Sequence, residues 1–398
     1  MNPVIDILGR KLRLAVIGGA PGSFIGGVHR MAARIDDCYE LVCGVMSSTP
    51  EKALDAGKGL GFAKDRLYST VDQMLSAEQQ RPDGVDVVAI MTPNDSHYPY
   101  SIAALEKGFD VICDKPMTNT LEEARNLVKK VQQTGLIFCL THNYSGYPLV
   151  RQAKAMIQQG VLGDLRLVQV EYVQGGRAKQ AVVTPDMPRA WKYDPKVSGP
   201  SLVMGDIGTH AHQLLRFITG LEVAEIQADL GHIVPDRNVD DFAGMLLRMS
   251  NGARGVMWIT QAAAGIENSL KIRLSGSLGS LEWWQEIPQR LRYYPLDGPM
   301  QEFTPNGPGI LPLAARASRI VKGHPEGFPE AFANLYTDVA QAIGSRRSGK
   351  PWDPNILVFP TEKDGYRGVE FVHKVIESSR QRGWVTIDQE EIGSQSLL

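Results

Sequence analysis

The sequence predicts an α/β protein of two domains. Residues 1–141 form a parallel sheet covered on both faces by helices, and residues 142–398 form an α/β domain with a large, mostly antiparallel open sheet, its C-terminal helix free to pack back on the first domain. Three observations predict this. Residues 12–141 alternate short apolar runs with helical signals, the signature of strands buried on both faces. After residue 160, strand-like stretches follow one another with little helix between them. Some of these alternate apolar with polar residues, as strands with one wet face do. The chain is also 398 residues long, more than a single hydrophobic core usually organises.

The elements follow in order. Leu12–Ile17 is the first strand and runs into a glycine-rich turn. Leu41–Met46, Val85–Met91, Val111–Cys113 and Leu136–Leu140 are the next four. The clearest helix spans Leu121–Thr134, opened by Thr120-x-x-Glu123, a capping box that satisfies two free backbone donors. In the second half, Val168, Val170 and Tyr172 alternate with Gln169 and Glu171. Further strands are expected at Val223–Leu230, Phe242–Met249, Ala253–Thr260, Leu270–Leu274 and Ser280–Trp284. Helices are expected over Asp206–Thr219, Pro329–Ile343 and Gly365–Arg380, and Trp384–Ile387 has the composition of a packed element. Pro295–Pro325 is rich in proline and glycine and reads as a long loop.

Composition narrows the function. The formal net charge is −2 and no long basic run occurs, which argues against nucleic acid as a partner. No apolar run approaches the ~20 residues of a membrane span. Met1–Lys11 lacks the basic head, apolar middle and small-residue cleavage site of a secretory leader. The cysteines Cys38, Cys43, Cys113 and Cys139 form no Cys-x-x-Cys pair. They are expected to be reduced and buried in a cytoplasmic protein, with no metal site.

Lys115 is the sharpest functional signal. It follows the apolar run Val111–Cys113 and precedes Pro116. An ammonium fixed at the end of a buried strand is costly unless it is partnered, and strand ends are where α/β sheets hold ligands. The first strand leads into Gly18-Gly19-Ala20-Pro21-Gly22-Ser23-Phe24-Ile25-Gly26. Gly18, Gly19, Gly22, Ser23, Phe24, Ile25 and Gly26 are placed to bring backbone amides to a diphosphate at a helix start. The spacing is about three residues longer than the usual Gly-x-Gly-x-x-Gly turn. The second strand ends in Ser47-Ser48 without the usual carboxylate, and Lys52 follows. NAD and NADP therefore both remain as cofactors.

Gly205–His210 is expected to begin a helix with Asp206 and His210 on one face. Read singly, Asp206 is a helix cap and His210 a core histidine. Read with Lys115, the three supply an amine, a carboxylate and an imidazole for alcohol oxidation. An imidazole takes the hydroxyl proton as hydride leaves carbon, an effect of about 10²–10⁴-fold, and an amine stabilises the developing oxyanion.

Four segments together resemble the glucose–fructose oxidoreductase, inositol dehydrogenase and rhizopine-catabolism oxidoreductase family. They are Ile25-Gly26-Gly27-Val28-His29, Thr92-Pro93-Asn94-Asp95-Ser96-His97, Asp114-Lys115-Pro116 and Gly205–His210. The resemblance spans nearly the whole chain. It implies a Rossmann domain followed by an open-sheet α/β domain, and NAD(P)-linked chemistry on sugars, inositols and their relatives. It places the catalytic residues at Lys115, Asp206 and His210. It also puts Thr92, Pro93, Asn94, His97 and Asp114 beside the cofactor, and Asn143, Tyr144 and Trp191 beside the substrate. The family usually has glutamate where Asp114 stands, and many members have Asn-x-Arg where this chain has Asn143-Tyr144-Ser145. His324 and Glu326 are further loop candidates for substrate contact.

The expected function is transfer of hydride between nicotinamide and a hydroxyl-bearing carbon of a sugar, glycoside or inositol-like polyol. One alternative is NAD-assisted glycoside cleavage or epimerisation without net cofactor reduction. Another is a non-enzymatic, nucleotide-sensing regulator, disfavoured because lysine, aspartate and histidine are all present. A homo-oligomer, dimer or tetramer, is expected through the open sheet of the second domain.

Overall fold

Five parallel strands organise the first unit. They are β1 Leu12–Gly18, β2 Tyr39–Val45, β3 Val87–Met91, β4 Asp110–Cys113 and β5 Phe138–Leu140. Their order is β2-β1-β3-β4-β5, every pair parallel. This computed structural model describes residues 2–179 and 190–388. The winding reverses between β1 and β3, so the turns after these two strands open onto the topological switch point, where such sheets bind ligands. The strand assignments follow from burial: all of β3 and β4 is enclosed, as near-continuous Val and Ile runs require. The helix Leu121–Thr134 starts with the expected capping box. The Glu123 amide donates to Thr120 Oγ1 and the Thr120 amide to the Glu123 carboxylate, each at 3.2 Å.

The second unit is built on a nine-stranded sheet. Its strands are β6 Leu165–Val173, β7 Val223–Gly231, β8 Phe242–Met249, β9 Arg254–Thr260, β10 Ser269–Gly276, β11 Gly279–Trp284, β12 Leu291–Pro295, β13 Gln301–Phe303 and β14 Val385–Thr386. The order is β13-β12-β11-β10-β6-β9-β8-β7-β14. The pairing is antiparallel throughout except between β6 and β9. Alternation sets the faces: Val168, Val170, Met245, Leu247, Met257 and Ile259 are buried, while Leu167, Leu246, Val256 and Trp258 point outward. The helix Thr209–Thr219 buries Leu214 and Leu215. Among the described residues, no helix is long and apolar enough to cross a membrane.

Three expectations are corrected. The single boundary between residues 141 and 142 becomes a discontinuous division: Met1–Gly146 with Phe328–Tyr366, and Tyr147–Gly327 with Arg367–Leu398. The helix Phe328–Arg347 causes this by packing on the helix Phe24–Ile35. Tyr39 Oη donates to the Tyr336 carbonyl at 2.7 Å, Thr337 Oγ1 to Asp36 at 2.6 Å and Arg346 to Asp110 at 2.7 Å. Second, β13 and the turn Pro312–Ala315 break up the segment expected to be one loop. The β12–β13 pair has one fully buried anchor, Leu291, and crossing Arg–Glu pairs. Such short strands carry too few residues for an alternating pattern to register.

Third, the helix bearing Asp206 and His210 starts four residues early, at Leu202. Ser201 Oγ receives the Met204 amide at 3.2 Å, so Ser201 and not Asp206 occupies the capping position. Met204–Gly208 then forms a widened π-helical turn closed by the Thr209 amide on the Met204 carbonyl. Turns of this kind are frequent at functional sites.

Candidate functional site

In the first unit, the predicted cofactor residues gather at the switch point. Gly18, Gly19 and Gly22 have φ of 79°, 65° and 89°, left-handed values that glycine adopts without strain. A Cβ on Gly19 would stand 2.3 Å from Met91 Sδ, and one on Gly26 would stand 2.2 Å from the Gly19 carbonyl oxygen. Gly26 is thus the residue that lets the helix Phe24–Ile35 approach the end of β1. Ser23 caps that helix, its Oγ receiving the Gly26 amide at 3.3 Å. Arg30 donates to the Gly19 carbonyl at 2.5 Å and ties the turn down.

The helix dipole adds a favourable field for an anion at this helix start. No atom lies within 4 Å of where a Cβ of Gly22 would stand, so backbone is open to close approach. This donor set fits a diphosphate, and hence a dinucleotide. Phe24 is exposed and Ile25 half-buried beside it. At the end of β2, Ser47 Oγ accepts the Thr49 amide at 3.1 Å and Ser48 is exposed.

The turn after β3 lies against the glycines: a Cβ on Gly18 would stand 2.7 Å from Thr92 Cγ2. Pro93 is exposed and Asn94 buried in the following turn. His97 is 1 % exposed, with Nδ1 2.7 Å from the Pro116 carbonyl oxygen and Nε2 3.0 Å from that of Thr92. Both ring nitrogens are therefore engaged with backbone, and His97 ties the Thr92 turn to the turn after β4. The half-buried Lys115 sits there, joined to Pro116 by a cis peptide bond. Asp114 accepts the Lys115 amide and Thr141 Oγ1, both at 3.0 Å. The shorter carboxylate thus organises the turn locally. Asn143 and Tyr144, each 3 % exposed, lie in the turn Asn143–Gly146 after β5, on the first unit rather than the second.

In the second unit, Asp206 is held on both oxygens. Lys192 Nζ donates to Oδ1 at 2.5 Å, Gln261 Nε2 donates to Oδ2 at 2.9 Å, and an Arg177 guanidinium nitrogen lies 3.7 Å from Oδ2. Gln261 also donates to Gln174 Oε1 at 3.1 Å. Gln174 Nε2 donates to Asn268 Oδ1 at 2.5 Å, and Tyr172 Oη donates to the same oxygen at 2.9 Å. The Tyr172 ring meets His210 edge-on at 6.4 Å between centroids, and His210 is 8 % exposed. A polar network at the ends of β6 and β9 and the start of β10 thus runs from the carboxylate of Asp206 to the ring beside His210. Trp191 is half-buried, its ring 5.7 Å from Lys192 Nζ.

Some candidates serve structure. Glu326 is buried and accepts the amides of Arg319 and Ile320 at 2.6 and 3.2 Å, so it orders its own loop. His324 is exposed, with Nδ1 3.2 Å from the Val321 carbonyl oxygen. All four cysteines are buried and outside any disulfide, and burial pushes the thiols of Cys43, Cys113 and Cys139 up. Among the described residues, no cluster of three metal-ligating side chains occurs. Sequence reading missed Lys192, Arg177, Gln174 and Gln261 as site residues. None of the four carried a signal in its local sequence.

Two family profiles cover most of the chain. The oxidoreductase family with an NAD-binding Rossmann fold matches residues 12–142, and the GFO/IDH/MocA C-terminal domain matches residues 150–282. The chain is similar to a crystal structure of an oxidoreductase from Sinorhizobium meliloti, 44% identical with a TM-score of 0.86, over 95% of this chain and 100% of that one. An inositol dehydrogenase homolog from Azotobacter vinelandii, solved with NADH and myo-inositol, is 33% identical with a TM-score of 0.88, over 96% and 99%. Levoglucosan dehydrogenase from Pseudarthrobacter phenanthrenivorans is 26% identical over 96% of this chain and 99% of its own length.

Proposed function

Because this chain belongs to the GFO/IDH/MocA oxidoreductase family, with an NAD-binding Rossmann domain, we propose that it oxidises a ring hydroxyl of a neutral sugar, glycoside or cyclic polyol. It is a dehydrogenase acting on CH–OH groups. The observation that carries the substrate reading is the anchored carboxylate of Asp206 on the helix that also bears His210. In the first unit, Lys115 supplies a cation in the turn after β4. Support comes from the relatives solved with myo-inositol and with levoglucosan.

Bound nicotinamide supplies the hydride acceptor. The chain's own residues supply the rest. Gly18, Gly19, Gly22 and the start of the helix Phe24–Ile35 hold the diphosphate through backbone amides. Ser47 and Ser48 offer neutral hydroxyls to the adenosine ribose. Lys115 holds the reacting oxygen and stabilises its developing negative charge. His210 takes the hydroxyl proton as the base, and Asp206 accepts a hydrogen bond from a substrate hydroxyl. Asn143, Tyr144 and Trp191 complete the substrate contacts. Leu167, Leu246 and Val256 of the outward row, with Trp384, line an apolar trough on the nine-stranded sheet. Exposed apolar surface of this kind supports a second copy of the chain as its cover.

The test is NAD(P)H formation with both cofactors against inositols, aldoses and glycosides, myo-inositol and levoglucosan included. Lys115→Met and His210→Ala should each lower turnover by about 10²–10⁴-fold while the circular dichroism stays unchanged. Full activity in both variants sinks the assigned roles. Substrate turnover without net NAD(P)H formation replaces dehydrogenation by cofactor-assisted cleavage or epimerisation.

A further inference from the structure

We infer that Lys192 is the positioning residue for Asp206. Its ammonium fixes which lone pairs the carboxylate presents and keeps that carboxylate ionised, a role that rests on the proposed dehydrogenation only for its effect on rate. The side chains of Asp206, Lys192 and Arg177 are 16%, 15% and 13% exposed. A carboxylate this far from water needs partners on both oxygens, because an unpaired buried charge is strongly destabilising. Lys192 serves Oδ1 and Gln261 serves Oδ2.

The two anchors come from separate elements. Gln261 follows β9 and is held by Gln174. Lys192 stands on the turn Ala190–Tyr193. The short helix that follows is capped by Asp194, whose carboxylate accepts the Lys196 amide at 3.0 Å. Asp206 itself lies in the π-helical turn, which sets the direction of its Cα–Cβ bond but not of its carboxylate. The carboxylate direction therefore depends on Lys192 and Gln261.

The charges differ in what they can do. Arg177 stacks on Tyr193 at 4.7 Å and approaches Asp206 only to 3.7 Å, beyond a good hydrogen bond. Lys192, by contrast, is in hydrogen-bond contact with the carboxylate. Opposite charge at this range favours the ionised acid, so Asp206 acts as a hydrogen-bond acceptor and leaves proton transfer to His210. Among the described residues, the charged groups facing Asp206 include Lys192 and Arg177, with His210 one helical turn away.

The experiment compares Lys192→Met and Lys192→Arg in the full chain. In Lys192→Met, kcat/KM should fall by about 10²-fold, as expected for a misplaced reacting group. The acid limb of the pH–rate profile should move to higher pH, because Asp206 then takes a proton more readily. Lys192→Arg should restore most of the rate and the position of that limb. A carbon-13 titration of the Asp206 carboxyl, assigned by its loss in Asp206→Asn, reads the pairing without any substrate. Its midpoint should rise in Lys192→Met and return in Lys192→Arg. An unmoved midpoint, or a Lys192→Arg variant no better than Lys192→Met, overturns the inference. If the unsubstituted chain oxidises nothing in the panel, the proposed function falls, while the carboxyl titration still decides the role of Lys192.

Discussion

Lowering the pH should weaken the first unit through one buried imidazole, His29. The ring is 1 % exposed, its Nδ1 lies 2.7 Å from Tyr336 Oη, and it packs edge-on to Phe332 at 4.8 Å. Burial pushes its pKa from 6.5 down to about 4; Asp114 pulls it partly back, and Arg30 and His97 push it further down. Above about pH 6.5 the ring is neutral in folded and unfolded chains alike, and it adds no pH dependence. As the pH falls toward 4, only the unfolded chain takes the proton, so stability is lost across that window. The gap between 6.5 and about 4, at about 1.36 kcal/mol per pH unit, gives roughly 3 kcal/mol in full and about 2 kcal/mol by pH 5. That is a large part of a typical domain stability of about 5–15 kcal/mol.

The assay is urea unfolding followed by circular dichroism at about pH 7.5 and about pH 5, for the unsubstituted chain and for His29→Asn and His29→Gln. Other groups contribute to the raw pH dependence. Burial raises Asp110 and Glu362, which favours the folded state at low pH. Asp86 works the other way: burial opposes its ionisation, but hydrogen bonds from Arg10 and the Arg13 amide win and hold it low. These are common to all three proteins and cancel in the comparison. Both variants should lose stability at every pH, yet lose less on acidification than the unsubstituted chain, by about 2 kcal/mol. An identical pH dependence in all three refutes the reasoning.

Two more outcomes follow from packing. Gly26→Ala gains about 1 kcal/mol of helix propensity but places its Cβ 2.2 Å from the Gly19 carbonyl oxygen; overpacking of this kind costs about 1–3 kcal/mol or more. The net should be a lower thermal midpoint and weaker NAD(H) binding by calorimetry, and unchanged binding refutes the assigned contact. Leu246→Glu with Trp258→Lys on the outer face of the nine-stranded sheet should shift the light-scattering mass from oligomer to monomer without loss of secondary structure. A monomeric mass for the unsubstituted chain at micromolar concentration removes that interface.

Much of the fold is legible locally. The strand runs of both units, the Thr120–Glu123 capping box and the apolar residues of the helix Phe328–Arg347 depend on neighbours a few positions apart. Lys115 is legible for the same reason, as a cation that ends a buried strand. The anchoring of Asp206 is not. Its hydrogen-bond partners stand 14 and 55 residues away, and nothing in the spelling of Lys192 or Gln261 marks them as its partners. The role of His97 is similar. Its segment resembles one that faces the cofactor, while its two ring nitrogens lie against carbonyls 5 and 19 residues away.

The sequence by itself determined the periodicities, the glycine-rich turn and the residue types that alcohol oxidation uses. These follow from backbone sterics and side-chain chemistry that each residue carries alone. The tertiary structure decided the order of the strands, the return of Phe328–Tyr366 to the first unit and the hold of Lys192 on Asp206. Each of these is a pairing between segments distant in the chain. Such pairings are selected by complementary shape and charge only once both partners have formed.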